Sequence, residues 1–137
     1  MNILFLCVAN SARSQMAEGL AKNMLDPSFH IKSAGSNPGK LNPLAVKAMN
    51  EIGIDISNQY SKSIGDLDPK FLDELDYVIT LCAEEICPVF PSGKVKELHW
   101  SLPDPATNQG SGEERLTLFR NVRDEISLRI DQFKKNI

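Results

Sequence analysis

The sequence predicts a three-layer α/β domain, a four-stranded parallel sheet flanked by helices, and three observations lead there. The apolar run Ile3-Leu4-Phe5-Leu6 is uninterrupted up to Cys7, which suits a strand buried on both faces. Met16, Leu20 and Met24 then recur at helical spacing, and an alternating stretch follows at Phe29 and Ile31. A strand-helix-strand crossover of this length implies parallel pairing and a right-handed connection. The segments that remain read, in order, as helix, helix, strand, strand and helix.

The first strand ends at Cys7. The first helix is expected from Ser14 to Leu25, where Asp26-Pro27 stops it. The second strand ends in the turn Ser33-Ala34-Gly35. Asn42-Pro43 combines an N-cap with proline at the first helical position, and Gly53 closes a second helix over 43–52 that carries Val46 and Met49. Residues 55–69 are polar and punctuated, a loop with short turns, and 69–75 suit a brief third helix. Tyr77-Val78-Ile79-Thr80-Leu81 reads as a third buried strand. Residues 82–94 carry Cys82, Cys87, Pro88, Pro91 and Gly93, a composition that disfavours one regular element and suggests a movable segment. Val95 to Trp100 forms a fourth strand, and Pro103-Asp104-Pro105 a tight loop after it. Ser111-Gly112-Glu113-Glu114 offers a capping box for a long helix with Leu116, Phe119, Val122, Ile126, Ile130 and Phe133 on one face, which should pack across the sheet.

A length of 137 residues fits one domain spanning residues 1–137, and 42% hydrophobic with 24% charged residues is ordinary for a soluble globular protein. The formal net charge of -3 argues against bulk attraction to nucleic acid or an anionic membrane, so any anion must be caught by a local site. No apolar stretch approaches the length of a membrane span, and Met1 to Val8 lacks a basic leader region, so a cytoplasmic monomer is expected. Three cysteines do not resemble a secreted disulfide framework; in a reducing compartment they are catalytic, metal-binding or incidental.

Cys7, Val8, Ala9, Asn10, Ser11, Ala12, Arg13 and Ser14 join a strand's carboxyl end to a helix's amino end. Unpaired N–H groups and the positive end of the helix dipole favour an oxyanion there, and small residues let the backbone curl around it. The same environment is expected to lower the Cys7 pKa from a free value of about 8.5 towards roughly 3.5 to 7.5. Arg13 offers a planar fork for two oxygens of a tetrahedral anion, and Ser14 a hydrogen bond to the thiolate. Asn10 either braces the loop with its amide or simply favours a turn. Cys7, Cys82 and Asp104 all follow predicted strands, so the crevice at the strand carboxyl ends gathers them on one rim. By itself Asp104 reads as a turn cap, or as a carboxyl group that stays protonated beside an anion and acts as general acid. Cys82 and Cys87 are two unrelated thiols, a redox pair, or zinc ligands with His99; residues five apart on a helix exceed the roughly 7 Å between disulfide Cα atoms, so bonding requires the segment to bend. His30 and His99 are read as structural.

The stretch Cys7-Val8-Ala9-Asn10-Ser11-Ala12-Arg13-Ser14-Gln15-Met16-Ala17-Glu18-Gly19 closely resembles the phosphate-loop signature of the low-molecular-weight protein tyrosine phosphatase superfamily, and specifically its arsenate reductase branch. The resemblance continues through Ser33-Ala34-Gly35, Thr80-Leu81-Cys82, His99-Trp100 and Asp104-Pro105-Ala106. It implies the superfamily's phosphatase-like fold, Cys7 as nucleophile, loop residues 8–14 as the oxyanion site, Asp104 as general acid, and Cys82 and Cys87 as a thiol relay that ends in a disulfide.

Arsenate and phosphate are nearly isosteric, so a phosphatase and an arsenate reductase begin alike. They part after the first covalent step, when a reductase needs further thiols to carry two electrons away. Cys82 and Cys87 supply two, and Ala106-Thr107 stand where tyrosine phosphatases of this superfamily usually place aromatic residues. The expected function is therefore arsenate reduction in arsenic detoxification, with no bound cofactor or metal and with electrons from thioredoxin or from glutaredoxin and glutathione. A tyrosine phosphatase and a non-catalytic phosphate-binding module are the alternatives.

Overall fold

Six consecutive buried residues, Asn2–Cys7, form the central strand β1 of the computed structural model, which describes residues 1–83, 94–107 and 110–137. Around it lie β2 (His30–Gly35), β3 (Leu75–Thr80) and β4 (Lys96–His99), in the order β2-β1-β3-β4 with every pairing parallel. The helices are α1 (Arg13–Met24), α2 (Pro43–Asn50), the short α3 (Pro69–Asp73) and α4 (Gly112–Lys135). The expected class is the observed one.

Side chains of a strand alternate between its faces, and β1 supplies both halves of the core. Ile3 and Phe5 join a cluster with Met16 and Leu20 of α1, Ala48 and Met49 of α2, and Phe119, Ile126 and Ile130 of α4. Leu4 and Leu6 face the other way, onto Leu67, Phe71, Leu75 and Val78. Three layers result because the central strand has no polar face. All six apolar positions expected on one face of α4 are buried, and Phe133 meets Tyr77 edge to face with ring centroids 4.9 Å apart.

The register sets the strand ends level: Cys7 pairs with Gly35, Leu6 with Thr80, and Thr80 with His99. Leu81 N–H still donates to Leu6 O at 3.0 Å, so Cys82 lies one residue past the last link between β1 and β3.

Several boundaries differ from expectation. The strand β3 starts at Leu75 rather than Tyr77, because Asn2 pairs with Leu75 across a register irregularity that purely local alternation does not reveal. The edge strand β4 is shorter than 95–100, although Trp100 N–H continues the pairing to Thr80 O at 2.8 Å. Helix α2 stops at Asn50, two residues before the expected end, and the chain turns at Gly53 with φ of 79°. Cys87 and the rest of residues 84–93 lie outside the described residues. No helix among the described residues is long and apolar enough to cross a membrane.

One ion-pair cluster ties α2 to α4. Glu51, at the end of α2, accepts from Arg120 at 2.6 Å and Arg123 at 3.1 Å, and the Arg120 hydrogen bonds pull its pKa from 4.5 down to about 2. A depressed carboxylate pKa contributes stability that is complete above the unfolded value and disappears as pH falls through the folded one. Glu51→Gln is therefore expected to lower the thermal midpoint at neutral pH, and the gap to wild type should close between pH 4.5 and about 2 in a melting series. A gap that persists unchanged at pH 2 would mean the pair is not its source.

Candidate active site

The loop between β1 and α1 is fixed from outside through its carbonyl groups. Ser36 N–H reaches Cys7 O at 3.4 Å, Asn37 N–H reaches Val8 O at 2.9 Å, Gly39 N–H reaches Ala9 O at 2.9 Å, and Asn42 N–H reaches Ser11 O at 2.9 Å. Asn10 O accepts from Ser61 Oγ at 2.7 Å and Gln15 Nε2 at 2.9 Å. Ala12, the N-cap of α1, has no side chain with which to cap the helix. With the carbonyls of Cys7 to Ser11 engaged by other segments and by Gln15, the loop's concave side is left to N–H groups, which suit an anion, and the helix dipole adds to the attraction.

Asn10 is the hinge of this loop. It is fully buried and has φ of 50°, the only positive φ outside glycine among the described residues. Asparagine tolerates that left-handed conformation better than most side chains. Its Oδ1 accepts from the backbone N–H of Lys62 at 3.0 Å, a group that can only donate, and this fixes the orientation of the amide. Nδ2 then donates to Ser14 Oγ at 2.7 Å and to Ser33 Oγ at 3.0 Å. Ser14 Oγ accepts from Asn10 and lies 2.9 Å from Cys7 Sγ; towards a thiolate, which can only accept, the hydroxyl is the donor. The sulfur also receives Asn10 N–H at 3.2 Å. Cys7 is a free, buried thiol whose sulfur lies against the Ser14 hydroxyl and the Asn10 N–H.

Arg13 is buried in the first turn of α1. Its Nη1 donates to Leu102 O at 3.0 Å and lies 3.5 Å from Leu81 O, while Nη2 sits 3.9 Å from Asp104 Oδ2. Asp104 Oδ1 accepts from Ala106 N–H at 2.9 Å. The turn-capping role and the position beside the anion loop thus coexist: one oxygen holds the turn, the other faces the guanidinium. Cys82 is buried and disulfide-bonded.

Cys7, the loop residues Val8 to Ser14, Arg13 and Asp104 therefore come together, and Leu81 O joins the residue before Cys82 to the same guanidinium. His30 and His99 are exposed, with His99 Nδ1 2.7 Å from Thr80 Oγ1. Four contributors escaped the sequence reading: Gln15, Ser33, Glu18 and Lys62. Ser33 Oγ donates to Glu18 Oε1 at 2.6 Å, and Glu18 pairs with Lys22 at 2.6 Å and with Lys62 at 3.7 Å. Burial pushes the Lys62 pKa down, and Glu18 opposes that shift. Ser33 and Glu18 belong to quoted motifs but gave no sign of a shared role, and Lys62 lies in a polar stretch with no pattern.

A parallel sheet with a cysteine at the base of a strand-to-helix loop, closed by an arginine, has the layout of a cysteine-based phosphate-loop domain. Residues 2–137 match the model of the low molecular weight phosphotyrosine protein phosphatase family, and the chain belongs to that family. An arsenate reductase of Halalkalibacterium halodurans is 50% identical over 133 residues, covering 96% of this chain and 93% of its own. Among solved structures, an arsenate reductase in a phosphate-binding state superposes with a TM-score of 0.79 at 33% identity, covering 99% of this chain and 98% of that one. A thioredoxin-dependent arsenate reductase of Corynebacterium glutamicum gives a TM-score of 0.72 at 29% identity over 98% of this chain and 60% of that one.

Gly35 is where the second strand meets the loop. A Cβ there would stand 2.4 Å from Val8 O and 3.0 Å from Asn10 N, both backbone atoms of the loop. Gly35→Ala is expected to displace the loop and reduce turnover on the order of a hundredfold, while a cooperative melt is retained. Unchanged turnover would show that the loop tolerates the displacement.

Proposed function

We propose that this chain reduces arsenate to arsenite, with Cys7 as nucleophile and Cys82 and Cys87 as the thiols that carry the electrons away. The observation that carries the reading is the placement of Cys7 Sγ against the Ser14 hydroxyl at 2.9 Å and the Asn10 N–H at 3.2 Å, inside a loop closed by Arg13. The arsenate reductase names of relatives at half identity support the choice of oxyanion.

The Cys7 thiolate attacks arsenic, and a protonated Asp104 gives its proton to the departing oxygen, which leaves as water. Arg13 and the loop amides take the charge of the remaining oxygens. Cys82 as thiolate then attacks Cys7 Sγ: a sulfur-sulfur bond forms, the sulfur-arsenic bond breaks, and its electron pair stays on arsenic, which leaves as arsenite. Cys87 attacks Cys82 and frees Cys7, and its short tether to Cys82 makes that exchange effectively intramolecular. A dithiol protein of the thioredoxin type, or glutaredoxin with glutathione, reduces the resulting disulfide. Each turnover thus converts arsenate and two thiols into arsenite, one disulfide and water, and a reducing cytoplasm is the fitting compartment. Weak phosphatase activity is the expected by-product of a loop that takes either oxyanion.

Arsenate-dependent NADPH oxidation, coupled through thioredoxin and its reductase or through glutaredoxin and glutathione, tests the activity directly. Cys7→Ser should abolish it, and peptide mapping after one turnover without reductant should find Cys82 linked to Cys87 in wild type and Cys7 linked to Cys82 in Cys87→Ser. Full multiple turnover by both Cys82→Ser and Cys87→Ser would refute the relay. Asp104→Asn is expected to slow hydrolysis of phosphate esters with poor leaving groups by roughly a hundredfold or more, and of an activated aryl phosphate far less. Equal losses on both would leave Asp104 a purely structural role.

A further inference from the structure

Behind the anion loop, away from Arg13, a run of buried polar groups connects the sulfur to a charged pair. From Cys7 Sγ it passes to Ser14 Oγ at 2.9 Å, on to Asn10 Nδ2 at 2.7 Å, Ser33 Oγ at 3.0 Å and Glu18 Oε1 at 2.6 Å, and ends at Lys62 Nζ, 3.7 Å from Glu18. Glu18 is 3% exposed and Lys62 6%, which is costly for charges unless each serves the other. A surface pair would be screened by water; this one is not.

We propose that Lys62 is a positioning residue for the Cys7 nucleophile, acting through Glu18 and the buried hydrogen-bond run to keep the thiolate stable. The inference rests on the reading of Cys7 as the nucleophile and adds a residue to it. The chain of donors has one sense. Glu18 as carboxylate can only accept, so Ser33 donates to it and offers its lone pairs to Asn10. Asn10, fixed by Lys62 N–H, donates to Ser33 and Ser14, and Ser14 keeps a proton that it can donate to the sulfur when that is a thiolate. Ionised Glu18 thus orients the run, yet its charge also repels a thiolate at the far end. The Lys62 ammonium cancels that repulsion.

Lys62 touches the network at two points. Its backbone N–H sets the Asn10 amide, and its side chain neutralises Glu18, with a further hydrogen bond from Nζ to Tyr60 O at 3.2 Å and the Tyr60 ring 4.9 Å beneath it. The other charges that act on it are Lys22, paired with the same carboxylate, and Lys32 on β2. With Lys62 removed, Lys22 alone would face Glu18, from a side chain that is nearly half exposed and therefore screened. A substitution that keeps the backbone donor but deletes the ammonium isolates the electrostatic part.

The experiment follows the alkylation rate of the Cys7 peptide by mass, as a function of pH, in the fully reduced protein and in three variants. In Lys62→Met the pH of half-maximal rate should rise by roughly half to one unit, which makes alkylation below that pH about three- to tenfold slower. In Glu18→Gln it should not rise, because the repelling charge is gone. The double variant, a neutral pair of similar volume, should return towards wild type, and thermal melts monitor folding throughout. A merely structural pair predicts the same direction for both single variants. A rise in both, or no movement in either while the melts stay cooperative, overturns the proposal; if Lys62→Met does not fold, a rise in Glu18→Gln alone overturns it. A wild-type profile like that of free cysteine, with no protection by phosphate, removes the nucleophile itself and both readings with it.

Discussion

The orientation of the Asn10 side chain is the constraint on which the site depends. A backbone N–H from residue 62 admits only one rotation of the amide, and that rotation makes Ser14 and Ser33 acceptors from its Nδ2. The left-handed backbone of Asn10 also turns its own N–H onto the sulfur. A single buried residue thus couples a backbone conformation to the hydrogen bonds around a thiol. Gln15 reinforces it, donating to Asn10 O, to Asn10 Oδ1 and to Tyr60 O while accepting from Gln59.

The anchoring has two flanks with different chemistry. On one, segments 36–42 and 59–63 contribute N–H and hydroxyl donors to loop carbonyls, and the parallel bridge between Gly35 and Ser63 brings the second segment into place. Such contacts fix shape without adding charge to the site. On the other flank Arg13 brings a full positive charge and is itself positioned by carbonyl oxygens of Leu81 and Leu102. Neutral contacts hold the loop, and Arg13 places a cation beside it. That division is economical in a chain whose formal net charge is -3, where the overall field offers an anion no help.

What was legible in the sequence is what local pattern controls. The buried strand announces itself by an unbroken apolar run, the helices by period and caps, and the anion loop by its place between them. Asn42 and Ser111 cap α2 and α4 as their positions suggested, with Asn42 Oδ1 accepting from Leu44 N–H at 2.8 Å and Ser111 Oγ from Glu114 N–H at 3.1 Å. The choice left open for Asn10, brace or turn former, dissolves because it is both. Lys62 was invisible for a physical reason: a lysine in a polar stretch reads as solvated, and only the approach of β2 and α1 from elsewhere in the chain buries it. The start of β3 was missed because pairing with Asn2, far away in sequence, extends it.

Arg13 also joins two parts of the proposed reaction that the sequence treats separately. The carbonyl of Leu81 immediately precedes Cys82, and the carbonyl of Leu102 lies two residues before Asp104, so the guanidinium is tied to the relay cysteine's strand end and to the acid's loop at once. The planar fork has enough donors to serve carbonyls on one edge and an anion on the other. In the proposed relay, movement of residue 82 would act on Leu81 O and, through it, on Arg13. Lysine at position 13 would keep the charge but not this two-edged attachment, so the requirement for arginine comes as much from the protein side of the guanidinium as from the anion side.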